Sequence, residues 1–200
     1  MDRTAERRAA TILGAIAILE GWWVYINLRV SPAGFARYIG VTGGQAGISG
    51  WLLALTVFLG FTGYAAARFA AVREYAFAWS PLKLLGLAVA VTAALCEEAL
   101  FRKFLMDRLA RADVDAGLQV LASAGTFGFL HGVWGLFRGS VIAAIGATVA
   151  TGVLGAALAV VYLASHRVLV PCVVCHLLIN IVIEPGLMIA AVRGEMARRS

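Results

Sequence analysis

Long apolar segments, separated by short stretches that carry charge, glycine or proline, constrain this chain more than any other feature. Each segment has about 20 residues, the length that an α-helix needs to cross a bilayer. Within hydrocarbon the backbone must satisfy its own hydrogen bonds, so such segments form helices. The sequence therefore predicts an all-α fold, a polytopic transmembrane helical bundle with about six spanning helices. The predicted spans cover residues 9–30, 48–72, 81–106, 117–136, 140–164 and 168–192.

The composition is typical of a membrane protein. Hydrophobic residues make up 62% of the chain and charged residues 14%, whereas soluble domains have roughly 45–50% apolar and about 25% charged residues. The net charge of +6 is interpreted as basic residues that flank the spans and contact lipid headgroups. Membrane lipids, and no nucleic acid, are therefore the expected partners. The sequence carries no signal for an oligomeric state.

The distribution of lysine and arginine predicts the orientation of the chain. With the N-terminus inside, ten basic residues fall on the inner side and six on the outer side. This excess favours both termini in the cytoplasm, and a prokaryotic cytoplasmic membrane is the expected localisation. The ten inner residues are Arg3, Arg7, Arg8, Arg68, Arg73, Lys83, Arg138, Arg193, Arg198 and Arg199.

Residues 1–200 are predicted to form a single integral membrane domain. Residues 1–80 would supply two N-terminal spans, and residues 81–185 would form the core that carries the polar motifs. Small residues on the fifth span are expected to let neighbouring helices approach closely; they are Gly146, Gly152 and Gly155. The predicted interruptions are a Gly-rich linker at 31–47, a loop at 107–116, turns at Arg138-Gly139 and His166-Arg167, and a break near Glu184-Pro185.

Two adjacent glutamates, Glu97 and Glu98, lie inside the third apolar segment, and Arg102 follows four residues after Glu98. A carboxylate in hydrocarbon is costly unless it is paired or faces a cavity. On a helix, Glu98 and Arg102 share a face in the favourable order, whereas Glu97 points about 100° away. Arg102 can therefore neutralise Glu98 as a buried ion pair, and Glu97 is left without a partner on its own helix.

Two further pairs of residues bring polar groups into later apolar segments. His131 lies four residues after Phe127, and Asn180 lies four residues after His176, so each pair shares a helix face. Each pair taken alone fits a packing residue or an interhelical hydrogen bond. Together with the unpaired Glu97, they predict one polar cavity enclosed by the bundle.

The residue types in this predicted cavity suit hydrolysis of a carbonyl compound. A carboxylate and an imidazole can activate a water molecule, and a second imidazole with an amide can stabilise the resulting oxyanion. This set predicts a peptidase that needs no serine or cysteine nucleophile. Two imidazoles and a carboxylate also match a catalytic zinc site, so a divalent metal at Glu97, His131 and His176 stays open, although the helical H-E-x-x-H motif is absent.

Three short motifs carry a resemblance to a known family. They are E-E-A-L-F-R at 97–102, F-G-F-L-H at 127–131 and H-L-L-I-N at 176–180. In order and spacing they resemble the motifs of the CAAX protease and bacteriocin-processing family, also called ABI-type proteases, which are intramembrane glutamic endopeptidases. The resemblance covers roughly residues 81–185 and implies a helical bundle with a conical cavity open to membrane and water.

The resemblance also implies a role for each motif residue. Glu97 would be the general base, His131 would orient and activate the water, and His176 with Asn180 would form the oxyanion site. Supporting roles would fall to Glu98 and Arg102, which brace the helix, and to Phe127, which packs beside the cavity. The implied mechanism uses no metal or other cofactor, and the implied substrate is a membrane-associated or lipidated protein or peptide.

Two other classes of function stay open. A non-catalytic immunity or scaffold protein would keep the cavity without turnover, and a small proton-coupled transporter would use the buried glutamates and histidines as a relay. Cleavage of a membrane-anchored substrate distinguishes the peptidase from both.

Several polar or reactive residues are interpreted as structural. The pattern Cys172-x-x-Cys175-His176 fits covalent haem attachment, but it lies within an apolar span, and Cys96 is interpreted as a packing residue. Interfacial or interhelical positions are predicted for Glu20, Asn27 and Glu184, with Glu184 one turn beyond Asn180 at the cavity edge.

The predicted spans place one geometric condition on the shared cavity. Glu97 and His131 each lie roughly 20 Å along helices that run in opposite directions. They can meet only if the third helix extends beyond Met106 or if the fourth helix starts deeper or tilts.

Overall fold

The computed structural model describes residues 3–137 and 140–197, and within these ranges it contains helices and no strand. The predicted all-α fold is therefore confirmed. The predicted turn at Arg138-Gly139 and the basic residues Arg198 and Arg199 lie outside the described residues. The helices are α1 Arg3–Val30, α2 Pro32–Ile39, α3 Ile48–Arg68, α4 Ala70–Tyr75, α5 Pro81–Glu98, a π-helical segment Ala99–Met106, α6 Asp107–Ala110, α7 Ala116–His131, α8 Val133–Leu136, α9 Val141–Ala164, α10 Val170–Ile183, α11 Gly186–Arg193 and a short 3₁₀ turn Glu195–Ala197.

Within the described ranges, four helices are long and apolar enough to cross a membrane: Arg3–Val30, Ile48–Arg68, Pro81–Ala110 and Val141–Ala164. A fifth candidate span is the pair α10 and α11, which is bent by 58° at a short break. The predicted fourth span corresponds to α7, which has 16 residues, followed by α8. The prediction of about six spans is roughly consistent with this architecture, and the chain is a multi-pass membrane protein.

The Gly-rich segment 31–47, predicted to be a linker, contains helix α2. Ser31 caps this helix by accepting a hydrogen bond from the Gly34 amide, and Pro32 occupies its first turn. Gly40 ends it in the left-handed conformation, with φ of 85°. Phe35 is buried and contacts Trp23 edge to face. The prediction of a linker was wrong for residues 32–39, because Ser31, Pro32 and Gly40 begin and end a helix there.

Two predicted boundaries move. The second span ends at Arg68 rather than residue 72, because Phe69 adopts an extended conformation before α4 begins. The third helix continues through Met106 to Ala110, so the predicted loop at 107–116 shortens to residues 111–115. Asp115 then caps α7 by accepting a hydrogen bond from the Leu118 amide.

A polar cluster at this end of the bundle fixes how α6, α7 and α9 meet. Asp107 accepts hydrogen bonds from Arg167 Nη1 at 2.9 Å and from the Tyr162 hydroxyl at 3.0 Å. Arg167 Nη2 also donates to Gln119 Oε1 at 2.6 Å. His166 and Arg167 both have positive φ, which confirms the predicted turn between α9 and α10.

The predicted break near Glu184-Pro185 is confirmed, and Lys83 stabilises it. The Lys83 ammonium donates to the carbonyl oxygens of Ile181 at 2.5 Å and of Glu184 at 2.7 Å. These carbonyls lie at the end of α10, where helical partners run out. The sequence predicts that Lys83 flanks a span and contacts lipid headgroups. Instead it is buried, and from α5 its ammonium group hydrogen-bonds to the backbone at the end of α10.

Helix α10 runs through the main apolar core, with side chains from α3 and α9 packed around it. The thiols of Cys172 and Cys175 are buried there and donate to the carbonyl oxygens of Leu158 and Ala54. Covalent attachment of haem would require both sulfurs to leave this core. The C-x-x-C-H pattern is therefore a packing feature of α10.

Helices α7 and α9 approach so closely that glycine is required at their contact. A Cβ added at Gly128 would lie 2.5 Å from the Thr148 carbonyl oxygen, and one at Gly155 would lie 3.2 Å from Ala124 Cα. Gly152 contributes its backbone to the same contact. Of the three glycines predicted to mediate helix approach, Gly146 does not: a Cβ there meets no described atom within 4 Å.

Gly128→Ala is expected to force α7 away from α9, because the methyl group would meet a backbone oxygen that cannot move aside. The predicted destabilisation is about 1–3 kcal/mol, as for other overpacked cores, measured as a lower melting temperature of the detergent-solubilised protein. The matched control is Gly125→Ala, one turn earlier on α7, where a Cβ meets no described atom within 4 Å. Equal melting temperatures for the two variants would contradict this packing.

Candidate active site

Glu97 and Glu98 are the last two residues of α5, and the helix widens into the π-helical segment Ala99–Met106 directly after them. The sequence predicted an uninterrupted α-helix here, and no residue of this segment signals the wider turn. Such π-helical interruptions are frequent at functional sites. Four residues of the segment are buried, namely Ala99, Phe101, Arg102 and Met106.

The Glu97 carboxylate faces both histidines of the later motifs. Its Oε2 lies 3.7 Å from His131 Nε2 and 3.8 Å from His176 Nε2. These distances are longer than a direct hydrogen bond, and Oε2 is buried without a hydrogen-bond partner among the described residues. Three polar atoms therefore surround one point, which is the geometry that binds a small polar molecule.

The condition on helix depth is met by the extension of the third helix. Counted from the 111–115 loop, Glu97 lies 13 residues before Ala110 and His131 lies 15 residues after Ala116. Both side chains therefore lie roughly 20 Å from the same end of two antiparallel helices. The segment 107–110, which the sequence assigned to a loop, supplies the extra turn.

His131 is held in one orientation by its own helix. Its Nδ1 lies 2.8 Å from the Phe127 carbonyl oxygen, and because a carbonyl only accepts, Nδ1 carries the hydrogen. The neutral ring then presents an unprotonated Nε2 to Glu97. The imidazole also stacks on the Phe127 ring, with centroids 4.3 Å apart, which fixes the ring plane.

Glu98 has two partners, an imidazole and a guanidinium, in a region without solvent. His176 Nδ1 lies 2.7 Å from Glu98 Oε1, and Arg102 Nη1 lies 3.1 Å from the same oxygen. The side chains of Glu98 and Arg102 are both 0% exposed, and Arg102 Nη2 also donates to the Gly155 carbonyl at 3.1 Å. The sequence predicted the pair of Glu98 with Arg102 but not the bond to His176, because only the fold brings α10 against the end of α5.

Phe127 and Asn180 complete the predicted set. Phe127 is buried, and its ring lies 4.7 Å from the Arg102 guanidinium and 6.0 Å from the His176 ring. Asn180 lies one turn after His176 on α10 and is partly buried at the cavity wall. All seven predicted residues therefore lie in one cluster at the meeting of α5, α7 and α10.

A cavity of about 80 Å³ lies within this cluster. Since one water molecule needs roughly 10–15 Å³ on such a measure, the cavity can hold a few water molecules. The sequence predicted polar members of its wall correctly, including Glu184 at the edge, but it assigned nothing to the first two spans. Those spans contribute Leu13, Ile16 and Phe61.

Glu20, predicted to be interfacial or interhelical, connects two helices. Thr92 Oγ1 on α5 donates a hydrogen bond to Glu20 Oε2 on α1 at 3.2 Å. Of the two predicted positions, the interhelical one is therefore confirmed.

Over residues 3–137 and 140–197, no group of three His, Cys, Asp or Glu side chains is arranged to hold a metal ion. The arrangement offers a carboxylate oxygen, two imidazole nitrogens and an amide around one cavity. These groups can accept a proton, orient a water molecule and donate to an oxyanion.

A comparison with family models finds one match, described as type II CAAX prenyl endopeptidase, Rce1-like, over residues 78–182. The match spans slightly more than half of the chain and includes all three motifs, while α1 to α4 lie outside it. No curated protein and no solved structure matches the chain.

Arg102→Met is expected to destabilise the protein strongly, because it leaves the Glu98 carboxylate buried without a cation. Breaking a buried pair in this way typically costs about 3–5 kcal/mol, measured by thermal or chemical unfolding in detergent. Adding Glu98→Gln to Arg102→Met should recover part of the loss, since the remaining side chain is then neutral. A double variant that is no more stable than the single one would contradict the pairing.

Proposed function

The chain belongs to the Rce1-like family of type II CAAX prenyl endopeptidases, and from this and the site geometry we propose that it is an intramembrane endopeptidase. The proposed substrate is a membrane-associated or lipidated protein or peptide. The proposed nucleophile is a water molecule activated by Glu97 and His131. The observation that carries the proposal is the approach of Glu97 Oε2 to two imidazole nitrogens at 3.7 and 3.8 Å.

In the proposed reaction, a water molecule hydrogen-bonds to Glu97 Oε2 and His131 Nε2. Glu97 takes one proton from the water while the water oxygen attacks the carbonyl carbon of the scissile amide. The same proton then passes to the leaving nitrogen as the C–N bond breaks, so Glu97 returns to its starting state. His131 supports this role because its Nδ1 is committed to the Phe127 carbonyl at 2.8 Å, which keeps Nε2 aimed at the water.

His176 and Asn180 are proposed to stabilise the oxyanion. The Asn180 amide can donate two hydrogen bonds, and His176 can donate from Nε2 when its imidazole carries both protons. Glu98 supports this role because its contact with His176 Nδ1 directs Nε2 into the cavity. Donors fixed in a water-poor site stabilise a developing negative charge far more than donors in bulk water.

The membrane setting supports a substrate that is anchored in the bilayer. The cavity wall is mainly apolar and is built from spans that face lipid. A peptide attached to a lipid would reach this depth without first crossing bulk water. The family description is type II CAAX prenyl endopeptidase, so a prenylated Cys-a-a-X peptide is the substrate class with which to begin.

A proton-coupled transporter is the second candidate, and it has one observation in its favour. Three titratable groups, Glu97, His131 and His176, lie together inside the bundle, with Glu97 Oε2 3.7 and 3.8 Å from the two imidazole nitrogens. This function predicts proton flux in liposomes without peptide cleavage. A non-catalytic scaffold predicts neither.

Glu97→Gln and His131→Ala are each expected to reduce cleavage by at least about 100-fold, because general acid–base groups typically contribute 10²–10⁴. The measurement uses the purified protein in liposomes with a quenched fluorescent, farnesylated Cys-a-a-X peptide. A matched control is His166→Ala, which removes an imidazole from the α9–α10 turn, remote from the cavity. Full cleavage by either of the first two variants would contradict the proposed mechanism.

We also propose that no metal takes part, and chelation tests this directly. Cleavage is expected to stay unchanged after treatment with EDTA and 1,10-phenanthroline followed by gel filtration, because the proposed proton transfers need only side chains. Loss of activity that returns on addition of zinc, but not of magnesium, would replace this mechanism with one in which Glu97, His131 and His176 hold a metal.

A further inference from the structure

A groove lies between α3 and α9 on the surface that these two spans present to the bilayer. The helices run antiparallel and meet at one end, where a Cβ added at Gly50 would lie 2.1 Å from Ser165 Oγ. Toward the other end they separate, and residues 57–64 of α3 and 146–157 of α9 line a groove of about 690 Å³. Sites for small organic ligands typically have volumes of roughly 300–1,000 Å³, so the groove has the size of a binding site.

Two glycines keep this groove open. Gly60 on α3 and Gly146 on α9 both line it, and a Cβ added at either position would meet no described atom within 4 Å. Glycine inside a helix costs about 0.5–1 kcal/mol relative to alanine, and here no close helix contact requires it. Gly146 was expected to bring helices together, but in the structure it leaves empty volume beside the bundle, which is volume that a ligand can fill.

The inner side of the groove adjoins the catalytic cavity. Phe61 and Leu154 line both spaces, so the same two side chains form a wall of each. A further cavity of about 130 Å³ connects them, because it shares Thr151 with the catalytic cavity and Gly146 with the groove. A molecule bound in the groove therefore lies against the wall of the cavity that Glu97 also lines.

The chemistry of the groove suits a hydrocarbon chain. Apart from Tyr64, every residue that lines it is aliphatic, phenylalanine or glycine. Val149 and Val153 are exposed, so the groove is open to the bilayer along α9, which is long and apolar enough to span it. A peptide backbone would leave its polar groups without partners at such a surface, whereas an apolar chain has none to satisfy. A prenyl chain is carried by the cysteine of a Cys-a-a-X motif, and therefore by the part of the peptide that would enter the cavity.

We propose that the groove between α3 and α9 binds the prenyl chain of the substrate and so holds the attached peptide in the catalytic cavity. This inference rests on the proposed function. Helix α3 lies outside the family match at residues 78–182, so the match assigns no role to this wall of the groove. The chain is already in hydrocarbon before it binds, so the groove acts through close packing rather than through removal from water. Its contribution is to localise and orient the peptide.

Filling the groove in the full-length protein tests this assignment. Gly60→Leu places a side chain in the groove from α3, and Gly146→Leu does so from α9. Because neither added Cβ meets a described atom within 4 Å, both variants should melt at the wild-type temperature or above. With the farnesylated peptide in liposomes, each should raise KM by about 10-fold and change kcat by less than about twofold, as for loss of binding that the ground and transition states share.

The matched control is Gly63→Leu, the same replacement on the same helix. A Cβ at Gly63 also meets no described atom within 4 Å, but Gly63 does not line the groove, so this variant should keep the wild-type KM. The second arm uses a peptide of the same sequence that has no prenyl group and is anchored by an apolar helix at its N-terminus. Its KM should be the same for the wild type and for Gly60→Leu, since no chain of this substrate occupies the groove.

Two kinetic results would overturn the inference. One is a KM for the farnesylated peptide within about twofold of wild type in both groove variants. The other is an equal rise of KM for the two peptides, which would show that the groove does not act on the prenyl chain. Glu97→Gln run in parallel separates the two claims. Full cleavage by Glu97→Gln would refute the proposed function, whereas unchanged KM in the groove variants beside an inactive Glu97→Gln refutes only the role of the groove.

Photo-crosslinking locates the chain without any need for turnover. The peptide carries a diazirine on its farnesyl group, and the protein is the Glu97→Gln variant, so that the substrate stays intact. Mass spectrometry should find cross-links on residues 57–64 and 146–157, and an excess of unlabelled farnesylated peptide should remove them. Cross-links confined to other helices, or cross-links that the excess peptide does not reduce, would contradict a prenyl site in the groove.

Discussion

The buried ion pair of Glu98 with Arg102 is the interaction on which the rest of the site depends. Neither side chain is exposed to solvent, so each needs the other to remain charged in the interior. The same Glu98 oxygen contacts His176 Nδ1 at 2.7 Å, which joins α10 to the end of α5 and sets the direction of the imidazole. Arg102 and His176 both contact Glu98, whereas the adjacent Glu97 faces the cavity.

The bundle around this pair holds three helices at fixed depth and distance. Gly128 allows α7 to lie against α9. The hydrogen bond between Asp107 and Arg167 holds α6 at the end of the bundle near the 111–115 loop, so that Glu97 and His131 lie at the same depth. Lys83 bonds the carbonyls at the end of α10, so that Glu184 stays at the cavity edge. Stability and chemistry therefore use different residues, and the variants at Gly128 and Glu97 should separate them.

Much of this arrangement could be predicted from the sequence, because helical spacing alone decides which neighbours share a face. The all-α fold, the pair of Glu98 with Arg102 and the break at Pro185 follow from local rules. Contacts between distant segments could not be derived in this way, including the bond of Glu98 to His176 and the hydrogen bond of Thr92 to Glu20. Helix α2 and the extension to Ala110 differ from the prediction for another reason, since polar and capping residues begin and continue helices as well as loops.

The role of Glu97 as the base that activates water is the central claim, and oxygen isotope transfer tests it most directly. A single turnover with enzyme in excess is carried out in H₂¹⁸O, and mass spectrometry is applied to both the cleaved peptide and the proteolytic fragment that contains Glu97. Attack by water predicts one ¹⁸O atom in the new carboxyl group of the product and none in Glu97. Label in the Glu97 side chain, with unlabelled product, would show that Glu97 attacks the carbonyl itself and would contradict the account.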